Sequence, residues 1–213
     1  MKHIILALVT VTAVFASTVG STERRILLLV QQGPSPWSDV RVFDKLQTAL
    51  SRDQAVNVES LVPQGGEQTV IPDITSTENL ISQARERGGQ YLICIAAESE
   101  RLERRKSFHV PLVFHKWEVV GVIEGELRVL DILRNKLVLA EPIMVELHGP
   151  RAIQATMDDT KNDPDLHISA PDKLQFMSKL EDKLVADVML KVKPLIAKGD
   201  RELAYRSDLK KKP

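Results

Sequence analysis

Two short, unbroken apolar runs, Ile26-Leu-Leu-Leu-Val30 and Tyr91-Leu-Ile-Cys-Ile-Ala96, constrain this chain most. Apolar residues that continue instead of alternating need cover on both faces, as in a parallel strand sandwiched between helices. The segments between them supply that cover. Ser35 before Pro36 reads as a helix cap with proline at the first helical position, and Val40, Phe43, Leu46 and Leu50 follow at helical spacing. Ala55 to Val62 alternates as a strand. Thr75 and Glu78 form a capping box ahead of Leu80, Ile81 and Ala84, and Gly88-Gly89 stops that helix. The first half therefore predicts strand, helix, strand, helix, strand with right-handed parallel crossovers.

The second half changes character. After the charged stretch Glu98 to Lys106 and the apolar stretch Phe108 to Phe114, a long strand is expected from Trp117 to about Leu133. On it Val119, Gly121, Ile123, Gly125, Leu127 and Val129 share one face, while Glu118, Glu124, Glu126 and Arg128 take the other. Arg134-Asn135 reads as a tight turn and Lys136 to Leu147 as the returning strand, with Pro142 marking an edge or a bulge. Residues 154–168 read as a polar, acidic loop. Ser169-Ala-Pro171 then caps an amphipathic helix with the stripe Leu174, Met177, Leu180, Leu184, Val188 and Val192, and Pro194 bends its end. The fold class is α/β: a three-layer-like mixed sheet with a βαβαβ first half, a long antiparallel hairpin and a C-terminal amphipathic helix. One domain spans 25–197 and a polar basic tail spans 198–213.

The start of the chain reads as an address. Met1-Lys2-His3, the uncharged run Ile4 to Phe15 and small residues after it have the layout of a secretory signal peptide spanning 1–16, with cleavage after Ala16. The run is shorter than the ~20 residues of a bilayer span, which weighs against a retained anchor. The chain is thus expected in the periplasm or outside the cell, with no stable membrane span.

Charge and composition narrow the partners. Lys plus Arg and Asp plus Glu number 29 each among 213 residues, so no global field draws nucleic acid. One cysteine, Cys94, makes no internal disulfide, and within an apolar strand its thiol is inert. Gly33-Pro34-Ser35-Pro36 fails as a nucleophile elbow because Pro36 lacks the N–H that would serve the oxyanion. Gly65-Gly66 lacks the companion residues of a phosphate loop. His109, His115, His148 and His167 lack the close spacing of a metal pair, and Asp159, Asp163 and Asp165 lack the glycine and terminal acid of a calcium loop. No cofactor is expected. Glu98 to Lys106 reads as a solvated segment, with Glu100 and Arg104 pairing if it is helical. Its sharper reading is an interaction surface made of Arg104, Arg105 and Lys106 beside Phe108, Phe114 and Trp117.

Two local patterns carry a resemblance. Ala84-Arg-Glu-Arg-Gly-Gly-Gln-Tyr-Leu-Ile93 joins a helix end, a glycine turn and an aromatic-led strand; Gly125-Glu-Leu-Arg-Val-Leu-Asp-Ile132 returns through Lys136 to Leu139. Both resemble a group of bacterial envelope domains that includes the curli assembly lipoprotein, the lipoprotein activators of penicillin-binding proteins, a flagellar T-ring assembly protein and the amino-terminal domain of the Tol-Pal translocation protein. The resemblance covers roughly residues 26–192. The chain departs from it in lacking a lipidation cysteine, in Ala96-Ala97 where a glycine often ends the strand, and in Arg134-Asn135 in place of a turn glycine. It implies an accessory or regulatory module working through envelope protein partners, without catalysis, and leaves self-association open. It assigns no site residue. The rival readings are a small-ligand module with an apolar pocket under the hairpin, and a hydrolase or transferase using Asp131, His115 and His148.

Overall fold

The computed structural model describes residues 24–32, 42–52, 56–62, 73–110, 114–154 and 169–210. The signal segment, the Gly33 to Pro36 turn, Gly65-Gly66 and the acidic loop lie outside them. In chain order come β1 (Arg24–Gln32), α1 (Val42–Ser51), β2 (Val56–Ser60), α2 (Thr77–Glu86), β3 (Tyr91–Val110), β4 (Phe114–Asp131), β5 (Lys136–Gln154) and α3 (Ala170–Lys210). The strands form one mixed sheet in the order β2-β1-β3-β4-β5. β1 runs parallel to both β2 and β3, whereas β4 is antiparallel to β3 and to β5.

The continuous apolar run of β1 is divided between the two faces. Ile26 and Leu28 join the core beneath α1 and α3 with Leu46, Ile93, Leu127, Leu184 and Val188; Leu27 and Leu29 join the core beneath α2 with Leu80, Ala84, Leu92 and Cys94. Three layers result, with α1 and α3 on one face and α2 on the other, as the two-sided apolar strands require. Among the described residues no helix is long and apolar enough to cross a membrane.

Helix ends follow mostly local rules. α2 stops where Gly88 takes φ 70°, and the Gly89 amide donates to the Ala84 carbonyl at 2.9 Å. Its start differs from the expected capping box: Ser76 occupies the cap without a side-chain bond, and the Thr75 hydroxyl donates instead to Asp73 at 2.7 Å. Ser169 does cap α3, accepting from the Asp172 amide at 3.3 Å. The predicted stripe of α3 is buried from Met177 to Val192, but Leu174 is exposed, while Lys173 beside it is buried and Phe176 lies over Gly121 and Gly149.

Two segments depart from expectation. The charged stretch after Glu98 is not helical; it continues β3, which is 20 residues long, and keeps Arg101, Glu103 and Arg105 partly exposed. A bulge between Ala97 and Ser99 inserts one residue and exchanges the faces, so the inward set changes from Tyr91, Ile93, Ile95 and Ala97 to Glu100, Leu102 and Arg104. Gly125 faces that bulge, where a Cβ would lie 1.9 Å from the Ala96 carbonyl oxygen. The expected tail from 198 also begins as packed structure. α3 continues through Pro194 to Lys210, Gly199 is seated on Tyr91, and Asp200 pairs with Arg24 at 2.9 Å.

Candidate functional site

Beyond the bulge, β3, β4 and β5 form a three-stranded arm whose two faces differ. One face carries α3: the Phe176 ring lies over Gly121 and Gly149, and Leu180 over Gly121. The opposite face is covered by α2 only near Leu92, Cys94 and Leu130. The cover ends at Arg128, which donates to the Ile74 and Thr75 carbonyls at 2.9 and 3.2 Å. Farther along, no described helix covers it.

This face, which no described helix covers, carries an ion ladder. Register places Ser99, Arg101, Glu103 and Arg105 on β3 beside Glu124, Val122, Val120 and Glu118 on β4, and those beside Met144, Glu146 and His148 on β5. Arg101 grips Glu124 with two parallel bonds of 2.7 and 2.8 Å and also binds Glu103. Glu103 accepts from Arg105 at 2.9 Å, and both terminal nitrogens of Arg105 reach Glu146 at 3.1 Å. Val120 and Val122 beneath are fully buried.

The ladder fixes its own charge states. Hydrogen bonding from Arg101, then from Arg105, holds the Glu103 carboxyl below its ordinary range, and Arg101 does the same to Glu124. Glu146, followed by Glu103, raises Arg105. Arg101 is held by three partners, Ser99, Glu103 and Glu124, and Glu103 and Arg105 by two each, so the face presents a fixed pattern of alternating charge. Met144 adds an apolar contact at 60% exposure, and β5 is the last strand in the sheet order, its Glu146 carbonyl accepting from Lys183 at 2.6 Å.

The residues expected to form an interaction surface divide unevenly. Arg105 belongs to the ladder. Arg104, at 7% exposure, is buried on the opposite face, that of α3. Lys106, Phe108, Phe114 and Trp117 occupy the far end of the arm, with Lys106 opposite Trp117 and Val110 opposite Phe114; their side chains lie outside the described residues. Arg101, Glu103, Glu124 and Glu146 escaped the sequence reading. Their signal was the i, i+2 alternation of Ser99, Arg101, Glu103 and Arg105, obscured by the bulge before it.

The rival catalytic set does not converge. Asp131 ends β4, buried, accepting from the Arg134 amide at 3.0 Å and its guanidinium at 2.9 Å. His115 is at the other end of the same strand, about 50 Å away at ~3.3 Å per residue. His148 lies opposite Val120, about 35 Å from Asp131 at the same rise, and its Nδ1 is 3.5 Å from Glu118. Cys94 is fully buried, and burial pushes its thiol up to about 12. Among the described residues no three His, Cys, Asp or Glu side chains are grouped to hold a metal.

No protein-family model matches the sequence, and no curated protein matches it. Solved structures similar to this chain include several bacterial lipoproteins. Uncharacterized lipoprotein B from Nitrosomonas europaea is 12% identical with a TM-score of 0.44, over 84% of this chain and 88% of that one. Rare lipoprotein B from Shewanella oneidensis is 13% identical with a TM-score of 0.34, over 84% and 98%. The LpoB C-terminal domain from Salmonella enterica is 12% identical with a TM-score of 0.34, over 58% and 82%.

Proposed function

We propose that this chain is an exported envelope protein that binds a protein partner through the ladder face and β5 edge of its arm, without catalysis. The observation that carries the reading is the arm itself: a strand-built projection with one face bare of described helices and its ionisable groups locked in a fixed pattern. Fixed groups lose little freedom when a partner docks, so complementary charge sets orientation and selectivity. An edge strand adds main-chain pairing that depends little on partner sequence. The signal-like start supports the compartment. The wide separation of Asp131, His115 and His148 supports binding over bond chemistry.

The test places a photoreactive side chain at Met144 in the full chain, in intact cells, with a second position at Leu190, which is 75% exposed on α3. A discrete adduct from position 144 and none from 190 is the expected result. No adduct at either position, or the same adduct at both, would contradict the reading.

A further inference from the structure

The end of the molecule opposite the arm's tip gathers cations. Here β1 and β3 begin, α2 stops, and β4 turns into β5, so Arg25, Arg85, Arg87 and Lys136 meet from distant parts of the sequence. The Arg25 guanidinium donates to the Arg87 carbonyl at 2.8 Å, Arg87 reaches the Ser60 carbonyl at 3.4 Å, and Arg85 donates to the Asn135 side-chain oxygen. Those acceptors are neutral, so they orient the side chains without cancelling charge. Arg24, Arg25 and Arg134 do have carboxylate partners, in Asp200, Glu59, and Asp131 with Glu202. Arg85, Arg87, Lys136, Lys198 and Arg201 are exposed and have none among the described residues, against Glu86 as the remaining acid of this end.

An apolar tip stands among these cations. The β4 to β5 turn, closed by Asn135 at φ 52°, holds Leu133 at 54% exposure beside Arg134 and Lys136, and Val138 farther on is 37% exposed. The segment before β1 enters the fold at the same end. Its uncharged run Ile4 to Phe15 is separated from Arg24 by eight residues, a reach of about 30 Å at full extension. While that run is held in a bilayer during export, this end is the part of the fold nearest the membrane. A cleft of about 380 Å³ also opens here, between α1 and α3 and not under the hairpin, where a ligand module would put it; Ile26, Leu50, Met189 and Ile196 in its floor are already buried, so it adds little apolar area.

We propose that this end docks on the surface of a membrane that carries anionic phospholipid, with the cations on the phosphates and Leu133 at the acyl boundary. Exposed apolar side chains ringed by cations match both parts of such an interface. A nucleic-acid duplex or an acidic polypeptide would satisfy the charges and leave Leu133 in water; an uncharged bilayer would take Leu133 and leave the charges unmatched. Docked this way, the arm points away from the bilayer, since the 18 residues of β4 carry Phe114 about 55 Å from Asp131 at ~3.3 Å per residue. The docking end and the ladder face are separate surfaces, so the failure of either leaves the other standing.

The test is co-sedimentation of the chain, produced with its own signal segment and purified as cells process it, with vesicles of phosphatidylcholine alone or with about 30% phosphatidylglycerol. Binding at least tenfold tighter to the anionic vesicles, weakening as salt rises, is expected. Arg87→Gln combined with Lys136→Gln should weaken it at least tenfold, at about fivefold per cation near the surface. Lys179→Gln combined with Lys183→Gln, which takes the same charge from the middle of α3, should leave it unchanged. Equal affinity for the two vesicles, or equal losses in the two paired variants, would overturn the proposal. Polyglutamate bound more tightly than the anionic vesicles at equal charge concentration would assign this end to an acidic protein instead. A second measurement stands apart from those variants: Leu133→Cys carrying an environment-sensitive dye, with Cys94 buried and unlabelled, should shift to the blue on anionic vesicles, while the same dye at Met144→Cys should not. No shift at 133, or equal shifts at both positions, refutes the docking end.

Discussion

Gly199→Ala should destabilise this protein, although the same change in an ordinary exposed helix stabilises by about 0.8–1 kcal/mol. Gly199 lies within α3, beyond Pro194, and an added Cβ would sit 2.1 Å from the Tyr91 hydroxyl oxygen and 3.2 Å from the ring carbon bearing it. Tyr91 is 3% exposed and embedded in the α3-side core, so the ring cannot swing aside without opening that core. Overpacking of this kind costs ~1–3 kcal/mol. At the upper part of that range, less the propensity gain, the net loss is about 1–2 kcal/mol, a fall in Tm of ~2–8 °C for a domain of this size. Tyr91→Phe should reverse the sign. The hydroxyl is buried with no hydrogen-bond partner among the described residues, so removing it relieves the contact without breaking a bond. In the Tyr91→Phe background Gly199→Ala should recover the helix gain, raising Tm by ~2–4 °C. The assay is thermal unfolding of the four proteins of this double-mutant cycle. A higher Tm for Gly199→Ala in the native background would refute the reasoning, since it would mean that the helix beyond Pro194 is not seated on the sheet.

Three further outcomes follow from the same contacts. Cys94 should resist alkylation at pH 8 in the folded protein and react on addition of denaturant, as followed by mass spectrometry; prompt native labelling would contradict its burial. Glu103 has a lowered folded pKa, so its contribution is complete above the unfolded value of ~4.3 and is lost as pH falls through the folded value. Urea midpoints between pH 6 and pH 3 should therefore fall less steeply in Glu103→Gln, which at neutral pH loses at most ~1 kcal/mol because the ladder is partly exposed. Asp131→Asn should cost about 1–3 kcal/mol, measured by chemical denaturation, by weakening the Arg134 bonds that close the β4 to β5 turn.

The parts of this fold that were legible in sequence are those governed by continuous burial. Ile26 to Val30 and Tyr91 to Ala96 announced strands covered on both sides because every residue there is apolar. Met177 to Val192 announced a helix because the stripe matches its turn. The alternation of β4 was also read correctly, with Glu124 and Arg128 opposite Ile123 and Leu127. What escaped depends on tertiary pairing. The outer half of β3 places charges on both faces, and they are tolerable in a sheet because Glu124 and Glu146 wait on neighbouring strands. A one-residue bulge further hides the alternation. Thr75 left its expected cap because Asp73 competes for the hydroxyl. The helix beyond Pro194 looked like solvated tail because its partners, Arg24 and Tyr91, are over a hundred residues distant in sequence, a span that local periodicity does not cross.

The central proposal is that this protein meets its partner on the ladder face of the arm, which no described helix covers. Its most direct measurement is amide hydrogen exchange on the purified chain, alone and with the protein captured from position 144. Slowed exchange concentrated in residues 99–105 and 141–148 is the predicted result. Slowing confined to α1, α2 or the cleft beside α3, with the arm unchanged, would contradict it.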